Sequence, residues 1–165
     1  MTICLTGFMG CGKSSVGRAL SEALGFPFTD LDDYIVRMSG RTIAQIFTGG
    51  EADFRDIELR ALREVLGKVC GRDWVLSLGG GTLTGEEARD LIFGKTTTVY
   101  LRARMDTIMQ RLQGEVDSRP MLRDGKAGEL LERRRAVYEM ADYVIDTDGK
   151  DVPAIVSEIK DVIQL

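Results

Sequence analysis

Residues 2–24 constrain this chain more than any other stretch. Thr2-Ile3-Cys4-Leu5-Thr6 is a short apolar run suited to a buried parallel strand. Gly7-Phe8-Met9-Gly10-Cys11-Gly12-Lys13-Ser14 follows without a break, and Ser15 to Leu24 reads as a helix closed by Gly25. Strand, glycine loop and helix in that order make the setting of a phosphate-binding loop. Without β-carbons at Gly7, Gly10 and Gly12, the backbone can turn sharply and aim successive N–H groups at one anion. The positive end of the following helix points to the same place. Lys13 then supplies a point charge for the outer phosphates, and the Ser14 hydroxyl is a hard oxygen ligand suited to Mg²⁺. A chance glycine turn at a strand–helix junction is the plainer alternative, and the flanking strand and helix argue against it.

At 165 residues the chain falls in the usual single-domain range, large enough to bury about two-thirds of its unfolded surface. One domain over 1–165 is expected. A net charge of -4 argues against non-specific affinity for nucleic acid or for an anionic membrane. No apolar run approaches the roughly 20 residues of a membrane span. The first strand leads straight into the glycine loop and leaves no room for a signal peptide, so a cytoplasmic location is expected. Cys4, Cys11 and Cys70 form no CxxC pair, which disfavours a disulfide framework or a zinc site. Cys11 is read as a small residue filling the loop, with acidification at the helix N-terminus as the sharper alternative. The chain contains no histidine. Catalysis therefore has to run on carboxylates, cations, backbone and metal. Asparagine is also absent, which excludes the Asn-Lys-x-Asp guanine-reading motif.

Taken in order, Gly25 to Asp30 predicts a second strand and Leu31 to Ser39 a helix ended by Gly40. Asp30 falls at the carboxyl end of its strand, the edge where parallel sheets place ligands. It is also a natural helix N-cap, with Asp32 and Asp33 suited to the first turn. The two readings are compatible. A carboxylate there can hold a Mg²⁺-bound water, and one two residues on can accept hydrogen bonds from a substrate hydroxyl. Thr42 to Phe47 predicts a short helix, and Glu51 to Leu66 a long one capped by Gly67. Arg55 and Glu58, three apart, share a helical face. They are either a surface ion pair worth under about 1 kcal/mol or a fork for an anionic group, steadied by the carboxylate.

Trp74 to Leu78 predicts a third strand that runs directly into Gly79-Gly80-Gly81-Thr82. Three consecutive glycines suit a backbone wall for a small ligand better than a linker, because they follow a buried strand and precede a helix, about Gly85 to Phe93. Thr96 to Leu101 predicts the fourth strand and Asp106 to Leu112 a helix carrying Arg111. The polar segment from Gln113 to Asp124 suggests a mobile lid, about 113–124. Its Arg119 would offset charge on a moving phosphoryl group, or else is incidental to a solvated loop. Gly128 to Ala141 predicts a helix whose Arg133, Arg134 and Arg135 point in different directions, so at most one or two face a site. A fifth strand with its turn, Tyr143 to Gly149, and a terminal amphipathic helix from Val152 complete the pattern. Strands alternating with helices imply an α/β three-layer sandwich around a five-stranded parallel sheet.

The glycine loop Gly7 to Ser15, Asp30-x-Asp32, Phe54-Arg55, Gly79-Gly80-Gly81, Arg119-Pro120-Met121-Leu122 and Arg134 four before Tyr138 together resemble the shikimate kinase family, in the family's order and over nearly the whole chain. No single motif is specific; the combination is. The resemblance implies a P-loop fold of the nucleoside-monophosphate-kinase type. It also implies transfer of the ATP γ-phosphoryl group to the 3-hydroxyl of shikimate in aromatic amino acid biosynthesis. ATP would lie on Gly10, Cys11, Gly12, Lys13, Ser14 and Ser15, with Arg111 on the adenine and Arg119 over the phosphates. Ser14 would bind Mg²⁺ directly and Asp30 through water. Asp32 would contact the acceptor hydroxyls as candidate base, completing a catalytic set with Lys13 and Arg119. Arg55 and Arg134 would grip the carboxylate, Glu58 would orient Arg55, Phe54 would form an apolar wall, and Gly79, Gly80 and Gly81 would offer backbone contacts. The acceptor region would span about 30–60. A monomer is expected, with no nucleic-acid or membrane partner. Departures from the family pattern are small: Cys11 stands where Ser or Ala is commoner, Ser15 for a usual Thr and Met121 for a usual Leu. None removes a charged or glycine ligand.

On the residues alone the reading stops earlier. Phosphoryl transfer needs positioning and charge neutralisation more than covalent chemistry, which suits a chain without histidine. The result is a small-molecule kinase whose acceptor carries hydroxyls and an anionic group. A gluconate or nucleoside-phosphate kinase shares the loop and lid, and a nucleotide-gated binding module is the alternative from another class.

Overall fold

The computed structural model describes residues 1–113 and 126–165. The apolar run at the start forms β1 (Thr2–Thr6), buried throughout, and the glycine loop delivers the chain into α1 (Lys13–Leu24). There follow β2 (Phe28–Asp30), α2 (Leu31–Ser39), α3 (Ile43–Phe47), α4 (Glu51–Val69), β3 (Trp74–Ser77), a 3₁₀ turn at Thr82–Thr84, and α5 (Glu86–Ile92). The chain continues through β4 (Thr97–Arg102), α6 (Met105–Arg111), α7 (Ala127–Tyr138), β5 (Tyr143–Asp146) and α8 (Val152–Ile163). The strands form one parallel sheet in the order β2-β3-β1-β4-β5. This is the α/β architecture that alternating strands and helices imply.

Side chains alternate across β1. Ile3 and Leu5 enter a core with Val16, Leu20, Ile108 and Ile159 from α1, α6 and α8. Cys4 enters the opposite one with Leu31, Ile35, Leu62 and Ile92 from α2, α4 and α5. Burial pushes the Cys4 thiol up to about 12, so it packs as a small apolar group. The two cores on either side of one sheet make the three layers.

Register decides where the loops meet. Leu5 pairs with Ser77 and Thr6 with Tyr100, while Asp30 pairs with Ser77. The carboxyl ends of β2, β3 and β1 are therefore level, and the residues just beyond them share one edge: Leu31, Leu78-Gly79 and Gly7. The chain leaves β1 toward β2 on one side and leaves β3 toward β4 on the other, so the β1/β3 crevice is the switch point at which open α/β sheets bind ligands.

Most element ends fall within a few residues of expectation, and two of the differences have a clear physical cause. The predicted second strand begins only at Phe28, because Gly25 is the left-handed cap of α1 (φ 70°) and Pro27 has no N–H to donate. The predicted stop at Gly67 does not occur. Helix α4 continues to Val69, 2% exposed, whose carbonyl accepts a 2.8 Å bond from Thr2 Oγ1. Burying that last turn outweighs the penalty of about 1 kcal/mol for a helical glycine. The cap at Gly40 (φ 69°) forms where expected.

One glycine inside α1 serves contact, not conformation. A β-carbon at Gly17 would stand 2.5 Å from Phe28 Cε2 and 3.1 Å from its Cζ, so its absence lets β2 lie close to α1. Gly17→Ala is therefore expected to lower unfolding free energy by about 1–3 kcal/mol through overpacking, despite the roughly 1 kcal/mol helix-propensity gain. Urea denaturation measures it; a stabilised variant would mean that the Phe28 ring yields freely.

Candidate active site

The glycine loop folds as an inward-facing turn. Gly7 (φ 146°), Gly10 (φ 78°) and Gly12 (φ 94°) all take backbone angles that side chains disfavour. At Gly7 space is also closed: a β-carbon would meet Leu101 O at 2.6 Å and Cys11 Sγ at 2.8 Å. Cys11 is 1% exposed and fills the loop's interior, as its plainer reading expects. Lys13 is nearly buried, and its Nζ donates to Gly7 O at 2.9 Å and Phe8 O at 3.1 Å. The lysine thus lies folded back over its own loop. Arg111 reaches across from α6 and donates to Gly10 O at 3.3 Å, so the end of α6 borders the loop.

Asp30 holds both of its expected positions at once. Its Oδ1 accepts from the N–H groups of Asp32 (3.0 Å) and Asp33 (3.2 Å), capping α2, while Oδ2 accepts the hydroxyl of Ser14. A hydroxyl and a carboxylate oxygen side by side at the loop's mouth form a hard-oxygen donor pair suited to Mg²⁺, which takes one or two protein ligands and leaves the rest to water and phosphate. Lys13, Ser14, Ser15, Asp30, Asp32, Gly80 and Arg111 line a common cleft of about 390 Å³. The register of β1, β2 and β3 accounts for that convergence.

The second half of the site is built on the triple glycine. Glu58, 3% exposed on α4, accepts from Arg55 Nη1 at 2.8 Å on one oxygen and from Thr82 Oγ1 at 2.9 Å on the other. The pair is thus an orienting contact with a buried carboxylate, not a freely solvated one. Arg55 also lies 3.5 Å from Glu51 and its guanidinium sits 5.1 Å above the Phe54 ring, which stacks on Phe47 at 4.5 Å. Phe54, 4% exposed, therefore serves as a floor under Arg55.

Arg134, on α7, is 3% exposed. Its Nε and Nη1 and the Nε of Arg55 are buried without a hydrogen-bond partner among the described residues. Burial and the neighbouring Arg55 pull the Arg134 guanidinium below its ordinary value, partly opposed by Tyr138. A buried guanidinium, Arg134, beside the half-buried Arg55, both with spare donors, makes a strong demand for an anion. The glycines are what let these groups meet. A β-carbon at Gly79 would stand within 3.0–3.1 Å of Glu58, Thr82 and Asp32 Oδ1. At Gly80 it would stand 3.3 Å from Met9 N and 3.4 Å from Arg134 Nη1, and at Gly81 2.2 Å from Arg55 Nη2 and 2.8 Å from Arg134 Nη2.

Asp32, Arg55, Glu58, Arg134 and the triple glycine are thus brought together beside the phosphate-type loop. Arg119 and nearly all of the expected lid segment lie outside the described residues. Thr82 and Tyr138 were not singled out as site residues from the sequence. A hydroxyl directly after the triple glycine was the available signal for Thr82.

Among known proteins, the family model for shikimate kinase matches residues 9–164. A shikimate kinase from Thermus thermophilus is 43% identical over 163 residues, covering 95% of this chain and 86% of that protein. The solved structure of shikimate kinase from Acinetobacter baumannii in complex with shikimate superposes with a TM-score of 0.90 at 33% identity, covering 99% of this chain and 92% of that one. Shikimate kinase from Aquifex aeolicus superposes with a TM-score of 0.82 at 35% identity, covering 99% of this chain and 96% of that one.

Because Glu58 is the buried counter-charge of Arg55, Glu58→Gln is expected to cost about 1–3 kcal/mol of stability. Its amide oxygen can still accept from Thr82, so the loss isolates the charge. Chemical denaturation measures it, and unchanged stability would mean that Glu51 compensates Arg55 on its own.

Proposed function

The chain belongs to the shikimate kinase family, and from that premise we propose that its cleft phosphorylates the 3-hydroxyl of shikimate with ATP, yielding shikimate 3-phosphate and ADP. The observation that carries the reading is the clustering of Asp32, Arg55 and Arg134 around Gly79–Gly81, with Asp32 and Gly80 sharing a cleft with Lys13.

The glycine loop, from Gly10 to Ser15, holds the ATP phosphates on its N–H groups, and Arg111 packs against the nucleotide base. Lys13 exchanges its two loop carbonyls for phosphate oxygens and stays with the phosphoryl group as it moves. Ser14 and Asp30 would hold Mg²⁺, which would supply neutralisation of charge on the outer phosphates.

On the acceptor side, the spare donors of Arg55 and Arg134 take the shikimate carboxylate. Glu58 keeps the Arg55 fork aimed, with Phe54 as its apolar support. Asp32 accepts hydrogen bonds from the ring hydroxyls and receives the proton of the one that attacks the phosphoryl group. The glycine wall brings backbone N–H groups to the substrate where no side chain would fit. Positioning of this kind is what phosphoryl transfer mainly requires.

The finer parts of the reading are a single kinase domain over 1–165, its acceptor region at about 30–60, and a cytoplasmic monomer. No helix among the described residues is long and apolar enough to cross a membrane, in keeping with a partner set of shikimate and ATP.

A coupled ADP-release assay with shikimate, gluconate and AMP offered separately tests the acceptor. Shikimate alone is expected to accelerate release; turnover indifferent to all three would sink the kinase reading. Lys13→Ala is expected to abolish turnover. Arg55→Ala is expected to weaken acceptor binding by about 2–5 kcal/mol, the usual cost of truncating a buried charge contact, while ATP affinity stays within twofold or so. An intact shikimate KM in Arg55→Ala would remove that arginine from the carboxylate site.

A further inference from the structure

One buried group in the site has no part in the roles above. Tyr138 ends α7, one helical turn after Arg134 and on the same face. It is 1% exposed, and its ring lies 5.1 Å from that of Tyr100 at 30°. Tyr100 belongs to β4 and pairs with Thr6, the last residue before the glycine loop. The Tyr138 ring is therefore fixed to the centre of the sheet, and its hydroxyl donates to Gly80 O at 2.5 Å.

The carbonyls of Gly79 and Gly81 are held by Thr82 and Thr84 of the following turn, and the Gly80 carbonyl between them takes its bond from Tyr138. The Gly80–Gly81 link joins two residues with the widest backbone freedom of any, and the wall must keep one conformation within contact distance of Arg55 and Arg134. The peptide is trans and planar, so its N–H points opposite to its carbonyl. Holding Gly80 O on the Tyr138 side turns the Gly81 N–H away from it. Burial raises the phenol's own titration, so it remains a donor at all working pH.

We infer that Tyr138 is a positioning residue for the acceptor: its hydroxyl locks the Gly80–Gly81 peptide, so that the glycine wall presents a fixed geometry to shikimate. This rests on the assignment of the acceptor site made above and adds a residue to it.

The test is steady-state kinetics of Tyr138→Phe, which keeps the ring, its volume and its contact with Tyr100. Tyr100→Phe, which removes a hydroxyl from the same aromatic pair without touching Gly80, is the control. In Tyr138→Phe the shikimate KM is expected to rise roughly tenfold, as for a buried carbonyl left without its donor, while the ATP KM and kcat at saturating shikimate stay within about twofold. Tyr100→Phe should behave as wild type. A wild-type shikimate KM in Tyr138→Phe, an equal rise in both KM values, or the same effect in Tyr100→Phe would overturn the inference. Absence of shikimate-dependent ADP release in the wild-type enzyme would instead overturn the acceptor assignment itself.

Discussion

Two guanidinium groups held side by side repel each other, and the buried Arg134 and half-buried Arg55 are placed in that position at Gly81. Glu58 is the buried carboxylate that faces Arg55 and answers part of the charge. What remains is a pair of guanidinium groups with unused donors, and burial first, then Arg55, pulls the titration of Arg134 down. Like charges in low dielectric destabilise the free protein unless rigid neighbours over-determine their place. Here Phe8 and Phe54 lie beneath the two cations, at 5.9 and 5.1 Å, and Glu58 is itself pinned by Thr82. An organic anion then finds its charge partners already oriented and gains affinity because little remains to be ordered.

The opposite half of the cleft solves the same problem differently. Lys13 carries a charge into a nearly buried position, and its own loop supplies the acceptors, Gly7 O and Phe8 O. A polyphosphate competes for that ammonium with two neutral carbonyls and wins on charge. The lysine is therefore satisfied without its ligand, whereas the arginines are not. One half of the site is self-contained and the other is strained toward its acceptor. Both hang from adjacent parallel strands, so Leu5 and Ser77 in register keep the halves at a constant separation.

Much of this was legible beforehand because it is local. A strand, a glycine loop and a helix are consecutive in the chain, and the left-handed caps at Gly25 and Gly40 close helices through their own φ angles. Gly67 was misleading for the same reason: a glycine is a stop signal only where burial beyond it gains nothing, and Val69 lies beyond it. Strand order was not legible. Nothing in the order β1 to β5 says that β3 inserts between β2 and β1, yet that insertion sets the triple glycine against the phosphate-type loop. The roles of Thr82 and Tyr138 were not legible because each acts on a group distant in sequence: Thr82 on Glu58, 24 residues away, and Tyr138 on Gly80, 58 away.

Asp30 shows why a structural and a chemical reading of one residue need not compete. A carboxylate has two oxygens with separate lone pairs. Oδ1 is consumed by the first turn of α2, which fixes the side chain's rotamer and leaves Oδ2 facing Ser14. The cap is thus the device that aims the second oxygen at Ser14. Glu58 repeats the arrangement, with Oε2 held by Thr82 and Oε1 directed at Arg55. In both cases one oxygen buys rigidity for the other, which is the economy a site needs when its reaction depends on position and charge. A residue that merely capped a helix, or merely paired with a surface arginine, would have no reason to present its second oxygen to the cleft.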